Sequence, residues 1–163
     1  MFNPAQKPTV PSWHLFFPLA ALHAALLVPL SLLSLYHPGG VALLSSPAAH
    51  GRELLFGFAL AVIAGYLLGP LPRRWLHLLV GLWLAARLGG LLWPSALPVI
   101  LADAGFVLLL GWRLVPRFIA AKRWRNRVLS PLLGLLCLLA LVTLTWRYLG
   151  RMPMSLTSHA CGR

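Results

Sequence analysis

From Leu54 to Leu71 the chain runs for eighteen residues without a charge. At about 1.5 Å per helical residue, such a run is close to the ~30 Å hydrocarbon thickness of a bilayer. Lipid offers no hydrogen-bond partners, so a segment of this kind must satisfy its own backbone, and a helix does so. Gly57, Ala61, Gly65 and Gly69 recur at a spacing of four, which places them on one helix face. No hydrophobic force drives helices together in lipid, and close approach over small residues takes its place. His50, Arg52 and Glu53 precede the run. The segment therefore reads as a spanning helix with a small-residue ridge and a polar head at one membrane surface.

The rest of the chain repeats the theme. Its side chains are 60% hydrophobic and 10% charged, with Glu53 and Asp103 the only acids. Soluble domains carry about 25% charged residues. This chain cannot cover a water-facing surface, and an integral membrane protein in contact with lipid is expected. A net charge of +12 would suggest nucleic acid in a soluble protein. Here the basic residues fall in short loops between apolar runs, so no nucleic-acid partner is expected. Cys137 lies mid-run and Cys161 near the end, in neither a disulfide nor a zinc pattern.

The pattern predicts an all-α polytopic protein, a single transmembrane domain over 1–163 with five spans at about 13–36, 54–71, 75–93, 95–115 and 130–149. Residues 1–12, with Pro4, Pro8 and Pro11, read as an irregular tail. The Ala-rich run from Trp13 also fits a secretory signal peptide, but it continues to Tyr36 and ends without a clear cleavage site. Trp13 with Tyr36, and Trp75 with Trp93, fit interfacial aromatic belts. Residues 116–128 form a basic loop, and Ser130-Pro131 is a helix-start signal. Alternating sides put Lys7, Arg73, Arg74, Arg113, Arg117, Lys122, Arg123, Arg125 and Arg127 together, against Arg52, Arg147, Arg151 and Arg163. The positive-inside rule then predicts a cytoplasmic N-terminus and a periplasmic C-terminus.

Three ionisable groups fall inside the membrane. Arg87 and Asp103 lie at matching depth on consecutive antiparallel helices. An unpaired charge at the bilayer centre costs at least about 2.5–3.5 kcal/mol, so the two are expected to pair. The pair either locks the hairpin or helps hold a cofactor. His23 sits mid-helix in the first run and needs either a hydrogen-bond partner or a metal, as in an axial haem ligand. His37, His50, His159 and Cys161 gather on the external side, a donor set that suits copper or zinc. His14 and His77 read as interfacial. The chain has no phosphate-cradling glycine loop, no His-Glu-x-x-His and no serine-nucleophile motif. The two acids are expected to lie too far apart to work as an acid–base pair. Hydrolase chemistry is therefore not expected.

The stretch Ala49-His50-Gly51-Arg52-Glu53-Leu54-Leu55-Phe56-Gly57-Phe58 resembles the Trp-His-Ala-His-Glu-Met-Leu-Phe-Gly-Phe signature of the NnrS family. Leu82-Trp83-Leu84-Ala85-Ala86-Arg87-Leu88, and Asp103 with its apolar helix and basic loop, are similar to two further stretches of that family. The resemblance implies a bacterial inner-membrane protein associated with haem and copper and with tolerance of nitric oxide. Carried over by position, His50, Glu53, Arg87 and Asp103 match. Arg52 stands where the motif has its second His, and the family's chains are usually more than twice as long.

The expectation is cofactor binding, by haem or copper, rather than turnover. His23 and His50 are the candidate ligands, with His37 beside His50 for copper. Glu53 is expected to orient His50, and Arg87 with Asp103 to support the fold or a haem propionate. A homo-oligomer joined over the Gly57–Gly69 ridge is expected, or assembly into a larger complex. The alternative is a non-catalytic accessory subunit packed against a larger respiratory membrane complex.

Overall fold

A computed structural model describes residues 9–37, 44, 46–93 and 96–119, together with 131, 134, 135, 138, 139 and 142. The described residues are helical apart from one small ribbon and short turns. In order it forms β1 (Thr9–Pro11), α1 (Trp13–Tyr36), α2 (Pro47–Arg52), a π-helical segment (Glu53–Ala59), α3 (Leu60–Leu67), β2 (Pro70–Pro72), α4 (Arg73–Leu92) and α5 (Leu97–Ile119). Among the described residues four helices are long and apolar enough to cross a membrane: Trp13–Tyr36, Pro47–Leu67, Arg73–Leu92 and Leu97–Ile119. The expected fifth span, 130–149, lies largely outside the described residues, and the positions within it that are described are helical.

The second span starts earlier than the apolar run suggested. Ser46 caps α2 by accepting from the Ala49 N–H at 3.1 Å, and Pro47 takes the first helical position, where its missing N–H costs nothing. Residues 47–52, left outside the expected span that starts at 54, are therefore a helical turn that carries the span outward. Glu53 is correspondingly not a surface group, being only 5% exposed. The far end also differs from expectation. Gly69 adopts φ +64°, the left-handed conformation that ends a helix, and the chain leaves α3 there rather than at Leu71.

The tail expected to be irregular is anchored. Thr9–Pro11 pairs antiparallel with Pro70–Pro72, Val10 opposite Leu71. Prolines suit a two-stranded ribbon, where each strand has a free edge. Ser12 closes the corner: its hydroxyl donates to Gly65 O at 3.0 Å and its N–H to Gly69 O at 3.2 Å. Arg117 donates to Leu68 O at 2.8 Å, taking another carbonyl at the end of α3.

The small-residue ridge packs inside the chain. Gly57, Ala61 and Gly65 are buried, and a side chain added at Gly65 would meet Phe17 at 2.6 Å. Its partner is α1, so this face is not open to a second copy. The second face, α4 on α5, closes over Gly89, which lies against Val99. The core between them holds Phe16, Ala20, Phe56, Leu60, Leu68, Leu76, Leu79, Trp83, Phe106, Leu110 and Leu114. Leu22, Leu26, Leu33, Leu88, Leu101 and Trp112 point outward, as lipid-facing side chains do.

Candidate functional site

The buried polar groups meet where the second span is irregular. A π-helix widens each turn by one residue, and such segments often mark functional sites. Here the Leu60 N–H reaches back to Leu55 O. The Gly57 carbonyl accepts the indole N–H of Trp83 at 3.0 Å. Trp83 and Arg87 are one turn apart on α4, and Gly57 and Glu53 are one turn apart on the π segment. Antiparallel packing therefore brings Arg87 to Glu53 whenever Trp83 reaches Gly57.

Arg87, 4% exposed, is the hub. Its Nη1 donates to Glu53 Oε2 at 3.3 Å, and its Nη2 donates to Asp103. The second oxygen of Glu53 accepts from Arg52, through Nε at 3.2 Å and Nη2 at 3.0 Å. Two carboxylates and two guanidiniums thus cancel in formal charge, which is what makes such a cluster tolerable in lipid. The expected Arg87–Asp103 pair is present. The two acids expected to lie apart share one guanidinium, so that expectation is corrected. Arg87 Nε is buried without a hydrogen-bond partner among the described residues.

His23, 4% exposed, completes the cluster from α1. Its Nε2 lies 3.2 Å from Glu53 O and 3.6 Å from Glu53 Oε2. The ring meets Trp83 edge-on, with centroids 5.5 Å apart. Gly57 admits it: a Cβ there would fall 2.2 Å from Nε2. A carbonyl only accepts, so Nε2 carries the hydrogen, and a neutral His23 then holds its lone pair on Nδ1. Histidines that bind metals are usually held this way, donating one ring N–H to a carbonyl or carboxylate and ligating through the other nitrogen.

His50 is elsewhere. Glu53 was expected to orient it, but its Nδ1 pairs with Ser31 Oγ at 2.6 Å. That hydroxyl spends its single hydrogen on Val28 O at 2.7 Å, so it accepts from His50 Nδ1–H and leaves the lone pair on Nε2. His37 is exposed at the same end, its N–H bonded to Leu33 O. Among the described residues no three His, Cys, Asp or Glu side chains gather as a metal cluster, and His159 and Cys161 lie outside them.

Between α1 and α4 a groove of about 270 Å³ opens beside the cluster. Leucines of both helices line it, among them Leu19, Leu22, Leu26, Leu84 and Leu88, together with His23, Trp83 and Arg87. Sequence reasoning missed Trp83, Arg52 and Ser31 as members of the site. The i, i+4 spacing of Trp83 with Arg87 was the readable signal for the first.

No curated protein and no solved structure matches the chain. The family model described as NnrS protein matches residues 12–161, nearly the whole length and all four spans, and the chain therefore belongs to the NnrS family.

Proposed function

We propose that this chain is a cofactor-binding protein of the bacterial inner membrane, associated with haem and with copper, that contributes to tolerance of nitric oxide without itself turning over a substrate. The observation that carries the reading is the fixed ring of His23. Its Nε2–H is tied to Glu53 O, its Nδ1 keeps a lone pair, and it lines an apolar groove beside an unpartnered Arg87 Nε. The donor set fits haem in kind: an imidazole for the iron, leucines for the ring, and a guanidinium N–H for a carboxylate edge. His23 would ligate and Arg87 would hold the carboxylate, while Glu53, Arg52 and Asp103 keep both in place. A bound haem would supply an iron open to nitric oxide. His50, with Nε2 left as its ligating nitrogen and His37 at the same end, is the position this reading gives to copper. The N-terminus lies in the cytoplasm by the loop charges.

The test is the absorption spectrum and metal content of protein purified from membranes. A Soret band with stoichiometric iron, lost in His23→Ala while the fold is kept, is expected. A colourless, iron-free protein overturns the haem reading. A reporter fused after Trp93, active only in the cytoplasm, is expected to be silent.

A second reading, the accessory subunit, draws on Gly81 and Ala85. Both are exposed one turn apart on α4, and Gly81 has open space around it, as a helix contact with a larger partner requires. Co-purification with larger subunits and no bound metal would favour it.

A further inference from the structure

The opposite end of the bundle carries a polar feature that the proposed cofactor site does not use. There the ribbon ties together the starts of α1 and α4, and a groove of about 400 Å³ lies between them. Its floor is apolar, from Val10, Leu15 and Leu76, and its rim is His14, Arg73 and His77. The three rim residues are exposed.

Two aromatic contacts set its depth. Trp13 stacks on His14 with centroids 3.8 Å apart, and Arg113 lies 4.3 Å over the ring of Trp75. Tryptophans of this kind sit at head-group level. The groove thus opens where lipid phosphates lie, with its leucines continuing toward the acyl region.

Charge then limits the occupant. Glu53 and Asp103 are the only side-chain acids in the chain, and both are committed to Arg87 at the other end. Arg113 and Arg117 are occupied by Trp75 and by Leu68 O, whereas Arg73 has no ion pair among the described residues. No side chain of this protein can supply the rim with a counter-ion, so the anion comes from outside. We infer that the groove binds the phosphate head group of an anionic phospholipid. Arg73 faces the phosphate, imidazole N–H groups of His14 and His77 donate to its oxygens, and the first acyl carbons run along Leu15 and Leu76.

Native mass spectrometry of the full chain in zwitterionic detergent tests this. The probes are dioctanoyl phosphatidylglycerol, dioctanoyl phosphatidylcholine and inorganic phosphate. Phosphatidylglycerol should be retained about tenfold better than phosphatidylcholine. Arg73→Gln should remove that preference, and Arg74→Gln, one residue outside the groove, should keep it. Should Arg73→Gln reduce the yield of folded protein, His77→Gln on the same exposed rim is expected to weaken the preference instead. Equal retention of the two lipids overturns the proposal, as does a preference that survives both rim variants. Retention of inorganic phosphate as strong as that of phosphatidylglycerol overturns the lipid as its source. Loss of the haem reading would leave these outcomes unchanged, because no residue is shared between the two sites.

Discussion

The two ends of this bundle are held by different means. Toward the ribbon, the helices meet through apolar side chains: Phe16 faces Phe106 with centroids 6.0 Å apart, and Leu60, Leu68, Leu76, Leu110 and Leu114 fill the space around them. Toward the break in the second span they meet through charge, with Glu53, Arg87 and Asp103 drawn from three different helices. Apolar packing in lipid is non-specific, because lipid tails are as apolar as leucine. Charges have no such alternative partners, and a mispaired helix leaves one of them bare. The charged end therefore carries the pairing that a misplaced helix would leave bare, and it is also where a histidine and a guanidinium N–H with no partner among the described residues are brought together.

The largest loss is expected at Arg87, which joins both acids. Arg87→Met leaves Glu53 with Arg52 and the His23 ring, and Asp103 without its guanidinium partner. Removing one member of a buried pair typically costs about 3–5 kcal/mol. Yield of monodisperse protein on size exclusion should collapse, and Glu53→Gln with Asp103→Asn in the same chain should recover much of it. Normal yield from Arg87→Met alone would mean the cluster does not organise the fold. Asp103→Asn alone should lower yield less, since the amide still accepts from Arg87.

A cavity at the apolar end is the next probe. Phe106→Ala removes a fully buried ring. Such truncations cost about 3–5 kcal/mol in water-soluble cores. The lower part of that range is expected here, because lipid weakens the transfer contribution. Thermal melting should fall while, on the proposed haem reading, haem content per folded molecule stays constant. A spectral change would show that the two ends are coupled.

At the charged end the close fit is at Gly57. A Cβ there would lie 2.2 Å from His23 Nε2, so Gly57→Ala must displace the imidazole. Overpacking of this kind costs about 1–3 kcal/mol. Gly81→Ala, with open space around it, is expected to be neutral or to gain a few tenths of a kcal/mol from helix propensity, up to ~1. Equal melting temperatures for the two variants would contradict the close fit of His23.

Much of this was legible because lipid simplifies the problem. Apolar runs of bilayer length located the four described spans, and equal depth found Arg87 with Asp103. Glu53 was misplaced for a local reason. Counting from Leu54 set it at the surface, although Ser46-Pro47 is the same helix-start pair as Ser130-Pro131 and moves the helix start outward. The π segment has no signature in residue types; what marks it is tertiary, the Trp83 indole on Gly57 O and the His23 ring on Glu53 O. The pairing of Thr9–Pro11 with Pro70–Pro72 joins strands about sixty residues apart and leaves no local periodicity to read.

A smaller loss than those at Arg87 and Phe106 separates the two roles of Trp83. Its indole N–H donates to Gly57 O within the π segment, and its ring meets His23 edge-on. Trp83→Phe keeps most of the ring and removes the donor. A buried hydrogen bond contributes about 0.5–1.5 kcal/mol net, and the carbonyl left behind adds to the loss. A modest drop in melting temperature is therefore expected, too small to change yield. The more telling readout is the environment of His23, followed by imidazole NMR on selectively labelled protein. If the indole bond holds the widened turn open, the His23 resonance shifts in Trp83→Phe, because Glu53 O moves with the turn. If the resonance stays put while stability falls, Trp83 acts only as core packing, and the π segment is fixed by Arg87 and Glu53 alone.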